Sequence, residues 1–419
     1  MSIAIVGMLD EREPALQLIK ERIEQRGHKT CLLDISVGTG AIVPVLKADV
    51  SCRELIELGE ESLGPAAAKK SRATSIMTVG LRIKISDLHR SGELQGIIAI
   101  TGMTGALITL TSMKELPFGI PKLLISGATS MPFHAAQFSN YFALRDITVM
   151  NTVVDTVGMN GLVRALAING ANAIAGMVEG GSISLEGGKS SIAVTEFGFC
   201  DKGAHYIREI LEKDYGVVSF HATGFGDKAV LDLVPQGIFK AFIDLVPGAF
   251  TEHLLGGNRG IAGPNRLDVF SSIPIPYIFC PGGFDIISCG PMERKDKNDP
   301  LWESRKLADR KLYIQDPPRV QARMSSEESE YIAVAVAEKL NQYQRKSRIK
   351  AVIPLRGFSS ISVKGAPLYD PDADAVFCTV LKARLDPAIE VIEVDSDINN
   401  PMFAKAVADA LSHSIREIQ

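Results

Sequence analysis

The sequence predicts two doubly wound α/β domains, each built on a mainly parallel sheet. Short aliphatic runs alternate with amphipathic segments along most of the 419 residues, and this order requires right-handed crossovers between parallel strands. The chain is 46% hydrophobic but only 6% aromatic. Small aliphatic side chains therefore supply the core, as is typical of sheets that helices cover on both faces.

A repeated strand–helix–strand unit opens each half of the chain. Its elements are Ile3–Val6, Glu11–Arg26 and Lys29–Ile35 in the first half, and Ser191–Thr195, Lys202–Asp214 and Val217–His221 in the second. The stretch from Ile3 to Gly27 is as long as the one from Ile192 to Gly216, so the two units superimpose without a gap. We therefore predict two similar domains, residues 1–185 and 186–419, with a Gly/Ser-rich boundary near Leu185.

The remaining elements continue the same alternation. In the first half they are the strands Gly96–Ile100 and Pro121–Ile125 and the helix Gly161–Val178; in the second they are the strands Ala241–Val246, Pro276–Cys280, Ala351–Leu355 and Glu390–Val394 and the helices Glu327–Gln342 and Phe403–Ile415. The charged segment Met292–Arg323, which contains the single Trp302, breaks this pattern. We interpret it as a surface excursion. A lid over a cleft and an arm that clasps a second subunit are the functional alternatives.

Charge and cysteine usage narrow the functional classes. A net charge of −4 gives no bulk attraction to nucleic acid or to anionic membranes. The six cysteines form no CxxC pair, which indicates reduced thiols in a cytoplasmic protein. The chain opens with a strand where a signal peptide would lie, and its longest apolar stretch is too short to span a bilayer. We predict a soluble protein with neither nucleic acid nor membrane as a partner.

Glycine-containing loops that follow predicted strands are the candidate ligand sites. Ligands of open parallel sheets bind there, where helix N-termini present free N–H groups. Three such loops supply the candidate binding residues. They are Gly102, Thr104 and Gly105 after the strand Gly96–Ile100, Thr223, Gly224 and Gly226 after Val217–His221, and Gly282 and Gly283 after Pro276–Cys280. Backbone amides in such loops cradle a phosphate or a carboxylate. Tight packing of a helix on a strand is the alternative reason for these glycines.

Three side chains beside these loops are candidate catalytic residues. His221 ends a predicted strand, Asp285 ends the third loop, and Arg356 follows the strand Ala351–Leu355, where its planar fork fits a phosphate or carboxylate. A core histidine with satisfied hydrogen bonds is the alternative interpretation of His221. The sequence contains no HExxH, no GxSxG and no Cys/His metal spacing, so it predicts no zinc site and leaves the metal ligands unassigned.

Other polar residues carry weaker signals. Asn151 and Asp155 flank an apolar pair ahead of a predicted helix, where they either line a cleft between the domains or close turns. Asp244 lies within an apolar strand, and Thr251 and Glu252 follow it. We interpret Thr251 as a helix cap and Glu252 as an acidic residue of the first turn.

Motifs from end to end of the chain match those of one family. In the first half they are Leu116–Leu123, Asp146–Asp155 and Ile174–Met177; in the second they are Phe220–Gly224, Asp244–Leu245, Leu254–Gly257, Gly260–Arg266, Leu355–Gly357, Gly365–Asp374 and Ile398–Phe403. The sequence resembles the uncharacterised family typified by the ATP-binding N-terminal domain of a plant tobamovirus-resistance protein, which has many bacterial and fungal members.

This resemblance implies two Rossmann-like domains, ATP binding with a divalent ion such as Mg²⁺, and a homodimer. In the plant protein the unit is joined to a barrel domain resembling phosphoenolpyruvate hydrolases, which implies a barrel enzyme as a partner. The sequence departs from the family at Asp10–Glu13, at Thr101–Gly105 and at Met131–His134. All three are loops at strand ends, where ligands bind.

Two functions remain open at this point. The first is a nucleotide-binding protein that holds ATP in or near a cleft between its domains. The second is an enzyme, a hydrolase or a lyase, that acts on a small oxo-acid or phosphorylated metabolite with His221, Asp285 and Arg356 around the cleft.

Overall fold

A computed structural model describes residues 2–37, 42–181, 189–268 and 275–418, with only the backbone of residues 135 and 136. The chain separates into two compact units, residues 1–184 and 185–419. The predicted boundary near Leu185 lies outside the described residues.

The first unit is a five-stranded parallel sheet in the order β2-β1-β3-β4-β5. Strands β1 to β5 are Ser2–Gly7, Lys29–Asp34, Leu94–Ile100, Lys122–Ile125 and Thr148–Met150; helices α1 to α7 are Glu13–Gln25, Cys52–Leu63, Pro65–Ala68, Ala73–Arg90, Met103–Glu115, Ala135–Phe142 and Gly161–Glu179. Residues along β1 alternate between two cores, because successive side chains of a strand point to opposite faces. Ile3 and Ile5 pack with α1 and α7, while Ala4 and Val6 pack with α2, α4 and α5.

The second unit has a six-stranded parallel sheet in the order β14-β13-β9-β8-β6-β7 and a three-stranded antiparallel sheet in the order β10-β12-β11. Strands β6 to β14 are Ser191–Glu196, Gly216–His221, Phe239–Asp244, Tyr277–Phe279, Ile286–Ser288, Leu312–Asp316, Arg319–Arg323, Ile349–Pro354 and Glu390–Val394; helices α8 to α14 are Asp201–Leu211, Phe225–Leu233, Ala249–Leu255, Pro300–Ser304, Ser326–Asn341, Pro371–Arg384 and Pro401–Arg416. Helices α8 and α14 cover one face of the large sheet, and α9, α12 and α13 cover the other.

The two large sheets begin in the same way. In each, the second strand of the unit lies outside the first, and the third lies on the first strand's other side. The chain therefore reverses its direction of winding between β1 and β3, and again between β6 and β8. Open parallel sheets bind ligands beyond the carboxyl ends of the strands at this reversal, which is called the topological switch point. The predicted fold class of doubly wound, mainly parallel sheets is confirmed.

Side-chain caps explain where several helices begin. Ser51 and Glu54 form a reciprocal capping box at the start of α2, and Ser325 and Glu328 form another at the start of α12. The Asn160 side chain accepts hydrogen bonds from the first amides of α7. These caps satisfy donors that have no partner within the helix.

The segment Met292–Arg323 is an integral part of the second unit, which corrects its interpretation as a surface excursion. It contains α11, β11 and β12, and β12 is the central strand of the small sheet. Trp302 is 3% exposed within its own unit, and its Nε1 donates to the Cys289 carbonyl at 2.8 Å. Trp302 is therefore already buried without a second subunit, contrary to the expectation for an arm that buries it against a partner.

In the described part of the chain, α7 is the one helix long and apolar enough to cross a membrane. Here it lies against β3, β4 and α1 as a core helix of the first unit.

Candidate functional site

A pocket of about 520 Å³ lies at the switch point of the first sheet, and we call it the first pocket. Loops that follow β1, β3, β4 and β5 line it, which brings together stretches of chain that are far apart in sequence. Its polar lining includes Arg12, Thr101, Ser130, Asn151 and Asp155. Of the three predicted glycine cradles, the one after β3 contributes to this pocket through Gly102.

Thr101 is the residue that links the end of β3 to the start of α5. It is 2% exposed, and no described residue is a hydrogen-bond partner of its Oγ1 atom. Gly102 occupies the N-cap position of α5 and has no side chain to cap it, so the first amides of the helix lack the partner that caps give to α2, α7 and α12. An anion at this position would meet both the hydroxyl and the positive end of the helix dipole.

Arg12 also lines the first pocket. Its Nη1 donates to Asp10 at 2.7 Å and its Nε donates to Thr156 at 3.1 Å. Its Nη2 lies 3.6 Å from Asp155, whose side chain is 76% exposed. A Cβ on Gly102 would lie 3.0 Å from Nη2, so glycine allows this approach. Arg12 therefore has two firm partners and one loose, solvent-exposed partner.

Val153, in the loop after β5, has an unusual backbone conformation. Its φ is 61°, and the amide of Val154 donates to the Thr152 carbonyl at 2.6 Å across it. A β-branched residue in the left-handed region carries strain of about 1–3 kcal/mol. The Val153 side chain is also 88% exposed, so packing does not explain this conformation. Strained residues of this kind occur preferentially at ligand sites.

The residues of the predicted cradle from Gly102 to Gly105 lie in different environments and do not form one site. Gly102 lines the first pocket, whereas Thr104 is exposed and lines a separate surface groove beside Thr78. Gly105 is buried, and a Cβ there would come within 2.8 Å of the Thr101 side chain. Packing of the helix on the strand is thus sufficient reason for glycine at position 105.

A pocket of about 500 Å³ lies in the second unit, and we call it the second pocket. It adjoins the ends of β6 and β7 and the small sheet, and it is lined by Phe197, His221, Thr223, Arg259 and Gln321 among others. His221 is exposed, and its Nδ1 lies 3.2 Å from the Thr223 hydroxyl. The pocket therefore combines polar groups with an aromatic wall.

Arg259 is the most buried charged side chain of the second pocket. It is 7% exposed, and both its Nε and its Nη2 donate to Oε1 of the fully buried Glu252, at 3.0 and 2.6 Å. Glu252 also accepts from the Ser288 amide at 2.9 Å.

The predicted cap at Thr251 is wrong, because α10 begins at Ala249 and the Thr251 hydroxyl donates back to the Gly248 carbonyl.

The second predicted cradle, Thr223 to Gly226, already holds a carboxylate. Gly224 has a φ of 94°, and its amide donates to Asp227 Oδ2 at 2.8 Å. A Cβ on Gly226 would lie 2.1 Å from the His221 carbonyl oxygen, so close packing of α9 on β7 requires glycine there. A ligand anion at this helix end would meet the charge of Asp227. The first pocket is therefore the better anion site of the two.

The third loop leads into a buried polar cluster. Gly282 and Gly283 lie inside the unit, where their amides donate to the carbonyls of Leu245 and Phe358. Asp285 is fully buried and accepts a hydrogen bond from the Ser359 hydroxyl.

The same cluster contains Arg323, which donates to Asp374 at 2.5 Å. Burial raises the pKa of Asp374 to about 7, against the charge of Arg323, which lowers it, and the charge of Asp285 raises it further. A carboxyl group inside the second unit thus titrates near neutral pH.

The three candidate catalytic residues occupy different environments. His221 lines the second pocket, and Asp285 is enclosed with Ser359. Arg356 is a surface residue whose side chain is 66% exposed and forms a bidentate ion pair with Asp395 at 2.6 Å. That ion pair raises the pKa of Arg356. Their catalytic roles stay predictions.

Sequence reasoning missed Arg12 and Arg259 as pocket residues. Arg12 lies in Asp10–Glu13, one of the stretches where the chain departs from the family pattern. Arg259 falls between the matching motifs Leu254–Gly257 and Gly260–Arg266. For Arg259 the adjacent family motifs were the available signal, whereas nothing in the local sequence of Arg12 indicated a pocket residue.

Comparison with known proteins places both units in one family. The N-terminal domain of the uncharacterised protein family UPF0261 matches residues 1–182, and its C-terminal domain matches residues 189–415. A UPF0261 protein of Clostridium tetani is 32% identical over 413 residues, which are 98% of each chain. A UPF0261 protein of Mesorhizobium japonicum is 27% identical over 97% of each chain.

A plant relative extends beyond this chain. The ToMV resistance protein Tm-1 of Solanum lycopersicum is 28% identical over 361 residues, which are 84% of this chain and 46% of that protein. The predicted resemblance is therefore confirmed, and the chain belongs to the UPF0261 family.

Proposed function

We propose that this chain is a nucleotide-binding protein whose first unit takes the phosphate groups of ATP in the first pocket. The proposal rests on the buried hydroxyl of Thr101, which has no partner among the described residues and lies beside the uncapped N-terminus of α5. An unpartnered buried hydroxyl costs about 1–3 kcal/mol. A ligand that accepts its hydrogen bond would remove this cost.

The position of the pocket supports a phosphate ligand. The switch point between β1 and β3 is where open parallel sheets bind nucleotides, and free amides at a helix N-terminus suit phosphate oxygens. Arg12 adds a positive charge whose contact with Asp155 is long and solvent-exposed. A phosphate can replace this weak partner at little cost, since exposed ion pairs contribute only about 0–1 kcal/mol.

The residues present also fit a magnesium ion that accompanies the nucleotide. Among the described residues, no three carboxylate, histidine or cysteine side chains meet as a metal site. Mg²⁺ in nucleotide sites is held mainly by phosphate oxygens and water, with one or two protein carboxylates. Asp155 is the exposed carboxylate at the pocket wall that fits this role.

A matched pair of threonine variants tests the proposal. Thr101 and Thr109 are both buried, and each has a hydroxyl without a partner among the described residues. Only Thr101 lines the first pocket. Calorimetric titration with Mg-ATP should show binding that Thr101→Val weakens by about fivefold or more, while Thr109→Val binds like the wild type.

Neither variant should lose stability, because valine replaces an unsatisfied hydroxyl by a methyl group of similar shape. The experiment thus separates a binding defect from a folding defect. Failure of the wild type to bind ATP, ADP or inorganic phosphate would overturn the proposal. Equal binding by both variants would exclude Thr101 from the site.

Other expectations from the sequence stay predictions. They are the homodimer, a barrel enzyme as partner, ligand binding near a cleft between the units, a cytoplasmic location, and the alternative of a hydrolase or lyase acting on an oxo-acid or phosphorylated metabolite.

A further inference from the structure

We infer that the second pocket binds the carboxylate of a small organic acid, and that Arg259 is the residue that receives it. The site lies entirely within the second unit and does not depend on nucleotide binding in the first.

Arg259 is held in one orientation before any ligand arrives. Glu252 Oε1 accepts from both Nε and Nη2, and the Ser288 amide fixes Glu252 in turn. The guanidinium carbon lies 4.3 Å from the centre of the Phe197 ring. The side chain of an arginine that is hydrogen-bonded along one edge and stacked on an aromatic ring has little conformational entropy left to lose when a ligand binds.

The remaining donor of this arginine has no partner. Nη1 is buried, and none of the described residues accepts a hydrogen bond from it. The guanidinium is planar, so its Nη1 points away from the edge that Glu252 occupies. Buried donors are nearly always paired in folded proteins. An orphan donor on a cationic group that lines a pocket therefore indicates a missing acceptor.

Gln321 supplies a second donor on the same wall. It is 5% exposed, and its Oε1 accepts from the Ser288 hydroxyl at 2.8 Å. Arg259 and Gln321 both line the second pocket. The guanidinium and the side-chain amide can each donate a hydrogen bond to one oxygen of a carboxylate.

The charge of the pocket favours a single negative charge over a phosphate. Arg259 and Arg319 line it, but Glu252 neutralises the first and Asp316 pairs with the second. Asp201 adds a negative charge to the lining. A dianion would therefore meet more repulsion here than a monoanion, to which Nη1 of Arg259 can still offer a hydrogen bond. The rings of Phe197 and Phe199, whose centres are 5.1 Å apart, form an apolar wall for the carbon skeleton.

Titration of the full chain with pyruvate, benzoate and inorganic phosphate at constant ionic strength tests the inference. Saturation-transfer NMR reports contact with the probe, and thermal shift reports linkage to folding. At least one of the two carboxylates should bind, and phosphate should bind more weakly. Arg259→Lys keeps the positive charge opposite Glu252 but removes the planar guanidinium that stacks on Phe197. It should weaken carboxylate binding about tenfold or more.

Gln321→Met and Arg416→Lys complete the design. Gln321→Met keeps the side-chain volume and should weaken binding about threefold or more; it tests the inference independently if Arg259→Lys does not fold. Arg416→Lys alters an exposed arginine of α14 that does not line the pocket, and it should bind like the wild type. The inference is overturned if neither carboxylate binds, if phosphate binds more tightly than both, or if folded Arg259→Lys and Gln321→Met retain wild-type affinity.

Discussion

Arg266 donates hydrogen bonds to both carboxylate oxygens of Asp244, and both side chains are completely buried. Nη1 donates to Oδ2 at 2.8 Å and Nη2 donates to Oδ1 at 2.7 Å. The same guanidinium donates through Nε to Asp227 at 2.5 Å, while the hydroxyls of Tyr277 and Thr195 complete the shell of Asp244. This network ties the loop that contains Arg266 to the end of β8 and to the start of α9.

Arg266→Leu should lower the free energy of unfolding by about 3–5 kcal/mol, because it leaves the two carboxylates of Asp227 and Asp244 buried without their cation. Urea denaturation measures the change. Arg356→Leu is the control, since the Arg356–Asp395 pair is about two-thirds exposed and its loss should cost no more than about 1 kcal/mol. Similar effects of both variants would contradict this account of the network.

Asp374 should make the stability of the chain fall as pH rises from about 4 to 7. Its folded pKa is raised to about 7 by burial, so the folded state keeps a proton that the unfolded state releases above its lower, ordinary pKa. This contribution is complete below the unfolded pKa and is lost as pH rises through the folded pKa, by at most about 1.4 kcal/mol per pH unit.

Asp374→Asn should remove this component, so the stability of the wild type relative to the variant declines between pH 4 and 7 and is level above that range. Denaturation at a series of pH values measures it. Asp395→Asn is the control, because Arg356 lowers the pKa of Asp395 and gives the opposite sign. A wild-type-to-Asp374→Asn difference that does not change with pH would show that Asp374 ionises normally.

Gly226→Ala should cost about 1–3 kcal/mol through overpacking. Its Cβ would lie 2.1 Å from the His221 carbonyl oxygen, and backbone atoms cannot move aside as a flexible side chain can. Gly216→Ala, at the start of β7, is the control, since the nearest atoms to its Cβ are 3.7 Å away; it should change stability by no more than about 1 kcal/mol. An undiminished melting temperature for Gly226→Ala would contradict this packing.

Trp302→Ala should lower stability by about 3–5 kcal/mol, because it removes a large buried side chain and its hydrogen bond to Cys289. Light scattering under native conditions should give the same mass for both proteins. Trp302→Phe, which keeps the ring, should lose less. A fall in mass without a loss of stability would restore the interpretation of this segment as an arm between subunits.

The sequence alone predicted the elements whose signals are local. The spacing of apolar residues and the position of glycines predicted strands such as Glu390–Val394, which the structure matches residue for residue. They also predicted helix α7, which was expected to be buried but buries only one of its faces. Local periodicity could not reveal the small antiparallel sheet. Its strands β10 and β12 lie far apart in sequence, and β12 carries Arg319 and Arg323, so nothing local indicates their pairing.

The fold class, the repeat and the glycine-containing loops after the strands could be predicted, because each depends on residue type and spacing along the chain. What those loops contact depends on the folded chain. The glycines at 105 and 226 are required by packing, and Asp227 occupies one predicted cradle. Among the described residues, Thr101 Oγ1 and Arg259 Nη1 are buried atoms without a hydrogen-bond partner, and each residue lines a pocket. A missing hydrogen-bond partner is a property of burial and neighbours in space, and residue order along the chain does not encode it directly.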